Sequence, residues 1–405
     1  MHEDRDITGS SPAKGRAKGG PQNGPKRRIR MAPKLAYRNL FHDRTSLFVT
    51  LIGIVFSVVL VAVQCGLYLG SERTIAAMQD HADGDLWVVA VGTKSFDDPA
   101  FLGGREKYAV LATPGVASAN ELVVGFANWR KPKGGTTAVL MIGSNHTNGG
   151  LAPWDIVEGS VAAIAAPGGV AVEQSYFKDL GITDIGAPAE INNTKVTVHA
   201  VTKGIRSFTT LPYVFTTLPR ARALLDAGQE QSTYIMVKVQ PGANIETVRK
   251  NLAARLTNAE ILTHDEFRQR GLDYWLFETG AGAALIAGAI LGLIVGIVIV
   301  TQTLYSSTKD HINEFATLRA LGASAGYIHK VILYQALLSA VIGYAAGITL
   351  SVLVVAASQS TTLNIVMTPK LALGLFIVTV GMCVFAALSA IFKVTRIDPA
   401  GVFSR

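Results

Sequence analysis

The acid and base with the most legible chemistry are Glu314 and Arg319, in the stretch NEFATLRALGASAGYI that lies between two long charge-free runs. Within KDHINEFATLRALGASAGYIHKVIL, Ile312, Phe315, Ala316 and, one turn on, Leu318 with Arg319 give one short helix an apolar and a charged side. Gly322 then stops the helix, and SAGYIHKV begins the next apolar run. An acid on so short a rigid element suits a charge-assisted contact with a soluble partner. A solvated connector that merely turns the chain fits the periodicity equally well.

Catalytic constellations are absent from the sequence. It holds no H-E-x-x-H, no G-x-S-x-G and no G-x-x-x-x-G-K-[ST]. The acid clusters are HDE at His264 and the Asp97/Asp98 pair, and both read as solvated surface. The sequons NHT at Asn145 and NNT at Asn192 are of the kind chance supplies. Cys65 and Cys383 fall inside apolar runs and the segment 70–278 has no cysteine, so no disulfide framework or thiolate metal site is expected in that segment. No catalytic residue, cofactor or metal is therefore expected, and nucleotide would have to be bound by another chain.

The elements that must position Glu314 follow from hydropathy. The chain has 405 residues, is 49% hydrophobic and 16% charged, and has a mean hydropathy of +0.33. Charge is missing from 47–69, 279–308, 331–369 and 371–392. A membrane span needs about 20 apolar residues. Four spans are predicted, at 47–69, 279–305, 331–357 and 371–392, with the polar turn SQSTTLN after the third. None contains Asp, Glu, Lys, Arg or His, which argues against an ion-coupled carrier.

Charge sets the orientation. Residues 1–46 hold 11 Lys/Arg against 4 Asp/Glu, 306–330 hold 3 against 2, and 393–405 hold 3 against 1, whereas 70–278 hold 19 against 22. Positive short segments face the cytoplasm, so both termini and 306–330 are expected inside and the 209-residue 70–278 segment outside. The net charge of +8 is thereby read as topology, and no nucleic-acid partner is expected. Residues 1–30 read as a disordered basic tail whose PKRRIR end resists translocation. The first apolar run is too long for a signal peptide and should stay as an anchor in membrane lipid.

The outer segment reads as a mixed α/β domain. DLWVVAV, ELVVGFANW, TTAVLMIG, GGVAVE, KVTVHAVT and TYIMVKV read as strands. SYFKDLGI, LPRARALLDAG and NIETVRKNLAARLT read as helices, the last with Ile245, Val248, Leu252 and Leu256 on one face. Residues 71–80 and 264–278 also look helical and could continue the first two spans outward as a stalk. The fold class is thus an α-helical membrane protein of four spans with a mixed α/β extracytoplasmic domain between the first and second. Two small-residue ridges recur every fourth residue: Gly280, Ala284, Gly288, Gly292 and Gly296 in the second span, and Ser339, Gly343, Gly347 and Ser351 in the third. Such ridges allow close helix packing, within one bundle or across a subunit interface.

INEFATLRALGAS resembles the E-(x)3-L-R-A-L-G-A-S signature of the FtsX/MacB superfamily of ABC-transporter permeases. LATPGVASANEL and RIDPAGVF are similar to the family's periplasmic-domain and C-terminal motifs, and HDRTSLFVTLIGIVFSVVL with DGDLWVV resembles its DevC branch. The resemblance implies an amphipathic helix at 33–46 leading into the first span, and a coupling segment at 306–330. It also implies a homodimer in the bacterial inner membrane, docked on two copies of a separate ATPase subunit that binds the ATP. Glu314 would face a basic group on the ATPase, with Phe315, Leu318, Arg319, Leu321 and Gly322 completing the contact. Branch membership implies a lipophilic or glycolipid substrate, passed on through a periplasmic adaptor and an outer-membrane duct. An FtsX-type regulator of a periplasmic hydrolase and a lipoprotein-release permease are the alternatives, the first typically having a smaller outer domain.

Overall fold

The computed structural model describes residues 25–146, 149–321, 323–358 and 364–395. They divide into two compact units, one comprising Ile52–Ile297 and Gly343–Met382, the other the described residues of Met1–Leu51, Val298–Ile342 and Cys383–Arg405.

The chain begins, among the described residues, with helix α1 (Pro25–His42), followed at once by α2 (Arg44–Asp80). The bounds differ from the sequence reading on both sides. Most of the basic tail lies outside the described residues, yet residues 25–30 are helical, and the helix expected at 33–46 stops at His42. Asp43 explains the break: its Oδ1 accepts the Ser46 backbone N–H at 3.0 Å, so it caps α2 and ends α1.

Among the described residues, four helices are long and apolar enough to cross a membrane: α2, α8 (Ala281–Asp310), α10 (Ala325–Ser358) and α11 (Pro369–Thr395). With 37 residues, α2 is about 55 Å long at 1.5 Å per residue, far more than a bilayer core of about 30 Å. Its last turns therefore reach the base of the α/β domain. The 264–278 segment does not join α8 in the same way. It forms α7 (His264–Leu272) and a π-helical turn, and then breaks at Gly280, whose φ of +79° a side chain would strain. The polar turn at 359–363 and the tail beyond Thr395 lie outside the described residues.

Between α2 and α7 the chain builds a mixed sheet of ten described strands. These are β1 (Leu86–Ala90), β2 (Val116–Arg130), β3 (Thr136–Ser144), β4 (Ile156–Gly159), β5 (Gly169–Glu173), β6 (Pro188–Ile191), β7 (Thr194–Thr202), β8 (Tyr213–Thr217), β9 (Tyr234–Val239) and β10 (Ala259–Thr263). The order is β10-β1-β9-β2-β3-β8-β5-β7-β4. Because β6 bonds to both β2 and β7, the path β2-β3-β8-β5-β7-β6 closes on itself. The closed part encloses one core, with Trp129, Met141, Val172, Ile191, Val198 and Val214 at its heart. Trp129 is fully buried and satisfies its indole by donating at 3.0 Å to the carbonyl of Leu180, the last residue of α4 (Phe177–Leu180).

The open wing, β10-β1-β9-β2, carries helices α3 (Glu106–Leu111) and α6 (Ile245–Arg255) over a second core. Val248, Leu252 and Leu256 are buried there. Ile245, expected on the same face, is exposed: it is the first residue of α6, next to Asn244, whose side chain caps the Thr247 N–H. A buried carboxylate joins wing and barrel: Glu121 on β2 pairs with Lys107 of α3 at 2.6 Å and with Arg222 of α5 (Leu218–Leu224) at 2.8 Å.

Candidate functional site

The segment between the second and third spans folds as α9 (Ile312–Ala320). Glu314 projects from it with 61% of its side chain exposed, paired at 3.2 Å with His311 Nδ1 one turn back. On the other side, Leu318 packs with Leu35, Ala36, Tyr327, Ile328 and Val331, fastening α9 to α1 and to the start of α10. The helix ends by hydrogen bonds from Leu321 N–H to Thr317 O (3.0 Å) and from Ala323 N–H to Leu318 O (2.9 Å). Leu321 is left 79% exposed. An exposed acid and an exposed leucine on one anchored helix form a small contact surface of mixed character. Of the predicted contact residues, Glu314 and Leu321 are thus presented, and Leu318 serves the anchor instead. The side chains of Phe315 and Arg319, and Gly322 as a whole, lie outside the described residues.

Three glycines of the second-span ridge, Gly288, Gly292 and Gly296, face the first span of the same chain, whereas Gly280 precedes α8 and has open space beside it. A methyl group at Gly288 would lie 2.6 Å from Gln64 Nε2, one at Gly292 3.0 Å from Leu60, and one at Gly296 2.5 Å from both Ser57 and Met382. Ser57 Oγ donates to the Gly292 carbonyl at 2.8 Å. The third span meets α2 through Gly343 against Ile54 and Gly347 against Val58. Gly288, Gly292 and Gly296 thus pack against α2 within the chain's own bundle.

Two further glycines on α2, Gly66 and Gly70, went unremarked in the sequence. The connection between the third and fourth spans lies on them: Val366 N–H donates to the Gly66 carbonyl at 3.0 Å, and any side chain at Gly70 would overlap the Asn364 carbonyl. Asn364 Nδ2 also reaches Thr74 Oγ1 at 3.4 Å. Their four-residue spacing was the available signal, of the same kind as the two ridges.

Family comparison covers most of the chain. The MacB-like periplasmic core domain matches residues 47–255, and the FtsX-like permease C-terminal region matches residues 286–399. The chain belongs to the FtsX/MacB superfamily of ABC-transporter permeases. Among solved structures, the periplasmic region of MacB from Actinobacillus actinomycetemcomitans is 13% identical, with a TM-score of 0.35, covering 49% of this chain and 96% of that one. The extracellular domain of the ABC-type transporter YknZ from Gram-positive bacteria is also 13% identical, with a TM-score of 0.33, covering 44% of this chain and 99% of that one. Comparison with curated proteins gives no match.

As an FtsX/MacB permease the protein is a multi-pass membrane component of an ABC transporter, a class that works with an ABC ATPase. Among the described residues no three His, Cys, Asp or Glu side chains gather as metal ligands. In this permease's α/β domain, HDE at His264 proves structural: Glu266 and Thr263 cap the start of α7 reciprocally. Asp97 overturns its reading as solvated surface. It is buried, accepts hydrogen bonds from Tyr213 and Ser207, and burial pushes its carboxyl up to about 6 against the opposing pull of those bonds.

Proposed function

We propose that this permease transmits ATP-driven motion of a separate ATPase subunit to its α/β domain, exporting or extracting a lipophilic substrate in the manner of the DevC branch. It works as a homodimer with both termini and α9 in the cytoplasm. Substrate is moved by the domain rather than through a polar path between the spans, whose charge-free sequences offer no ion relay. The observation that carries this reading is the contact surface of α9, with Glu314 and Leu321 exposed while Leu318 anchors the helix to α1 and α10. A push on an anchored helix is passed to what it is anchored to. On a loosely held connector it would be absorbed by local bending.

The test is charge reversal at the contact. Glu314→Arg should insert into the membrane normally, yet bind its ATPase about tenfold or more weakly, because repulsion replaces attraction at a fixed site. Permease-stimulated ATP turnover in the reconstituted complex should fall with it, and an acidic replacement of the partner's basic residue should restore part of both. Wild-type binding and turnover in Glu314→Arg would return α9 to the role of a simple connector.

A further inference from the structure

At the α/β-domain side of the spans, a groove of about 430 Å³ opens between α2, α7 and the start of α11. That volume falls within the range of small-molecule sites, roughly 300–1,000 Å³. Its floor is apolar: Leu69 closes the charge-free run of α2, and Leu371 opens that of α11. Its rim is cationic. Arg73, Arg268 and Lys370 line it, against Glu72 as the acid among its lining residues. Arg268 is already engaged, by Asp80 at 2.9 Å and by Glu72 at 3.7 Å. Arg73 and Lys370 are exposed and have no ion pair among the described residues.

Position then selects among anions. Every charged lining residue other than Arg268 lies within four residues of the end of an apolar run, so the rim sits where a bilayer's polar boundary must be. Below the rim on α11, Leu373 and Ile377 are exposed one turn apart, continuing an apolar track into the membrane level. A soluble anion would use only the rim. A lipid would use rim, floor and track together.

We propose that this groove binds the phosphate headgroup of an anionic phospholipid from the adjacent leaflet, with Arg73 and Lys370 on the phosphate and Leu69 and Leu371 against the glycerol and upper acyl carbons. The assignment does not depend on which substrate the transporter moves.

Native mass spectrometry of the full-length permease in neutral detergent, offered equal phosphatidylglycerol and phosphatidylcholine, tests it. Phosphatidylglycerol should be retained preferentially. Arg73→Gln and Lys370→Gln should each lower that preference about fivefold and the double variant about 25-fold, as expected for cations at an anionic lipid surface. Lys370→Arg should keep it. Equal retention of the two lipids by the wild type overturns the proposal, as does an unchanged preference in a folded double variant. Displacement of phosphatidylglycerol by millimolar inorganic phosphate assigns the rim to soluble phosphate and overturns the lipid assignment.

Discussion

The Tyr213 hydroxyl donates a 2.6 Å hydrogen bond to Asp97 Oδ1 in the buried interior of the α/β domain. Ser207 Oγ meets the other carboxylate oxygen at 3.5 Å. Tyr234, close by, donates instead to the Ser95 and Phe96 carbonyls. Burial thus dominates and favours the neutral acid, raising the group to about 6 and lifting Tyr213 well above the usual phenol range.

That relationship predicts a pH dependence of unusual sign for an Asp. The folded chain holds the Asp97 proton more tightly than the unfolded one, whose carboxyl titrates near 3.9. Stability from this group is therefore full below about pH 4 and is lost as pH rises to about 6. The loss amounts to about 3 kcal/mol, at ~1.4 kcal/mol for each tenfold change in proton affinity. Asp97→Asn keeps an acceptor for Tyr213 and removes the titration. Denaturant unfolding of the full-length protein, followed by tryptophan fluorescence from pH 4 to 8, should show the variant gaining on the wild type as pH rises and levelling off above about 6.

Asp97 also marks the limit of what the sequence can say. FDDPA looks like a polar turn, and its burial depends on Ser207 and Tyr213, more than a hundred residues away. Strands with β-branched runs, such as WVVA and VTVHAV, were legible because their pattern is local. The strands IVEG, PAEI and AEILT were not, being short and half polar, and it is β6, PAEI, that closes the barrel. In the spans, glycine spacing announced close approach but not to what, since a missing Cβ carries no information about its neighbour. The α9 signature was legible by family resemblance, whereas the inward turn of Leu318 required α1 and α10 to be in place.

Topology can be tested at two exposed sites, Lys133 in the turn between β2 and β3 and Ser324 between α9 and α10. In a background with Cys65 and Cys383 replaced by Ser, a Lys133→Cys chain in intact cells should react with an impermeant maleimide. Ser324→Cys should react only after the membrane is opened. The expectation rests on the excess of Lys and Arg in the short segments. Labelling of both sites from the same side would remove the single span, α8, between them, and the reverse pattern would remove the orientation.

The packing of the second span against the first can be captured covalently. A Cβ at Gly292 would stand 3.4 Å from Leu60 Cβ, a tenth of an ångström short of the separation a disulfide requires, about 3.5–4.5 Å, so a small shift of the helices suffices. In the same cysteine-free background, Leu60→Cys with Gly292→Cys should therefore oxidise readily within one chain. The product should run as a monomer on a non-reducing gel, with altered mobility that a reductant reverses. A dimer band would mean that the ridge meets a neighbouring subunit and that the contact with Leu60 is made between chains. The companion substitution Gly292→Ile forces a branched side chain onto Leu60, and overpacking of this kind costs about 1–3 kcal/mol. It should lower the melting temperature of the detergent-solubilised permease, and Leu60→Ala should recover part of the loss by making room. A Gly292→Ile variant that melts like the wild type would mean that the two helices are not pressed together at this level.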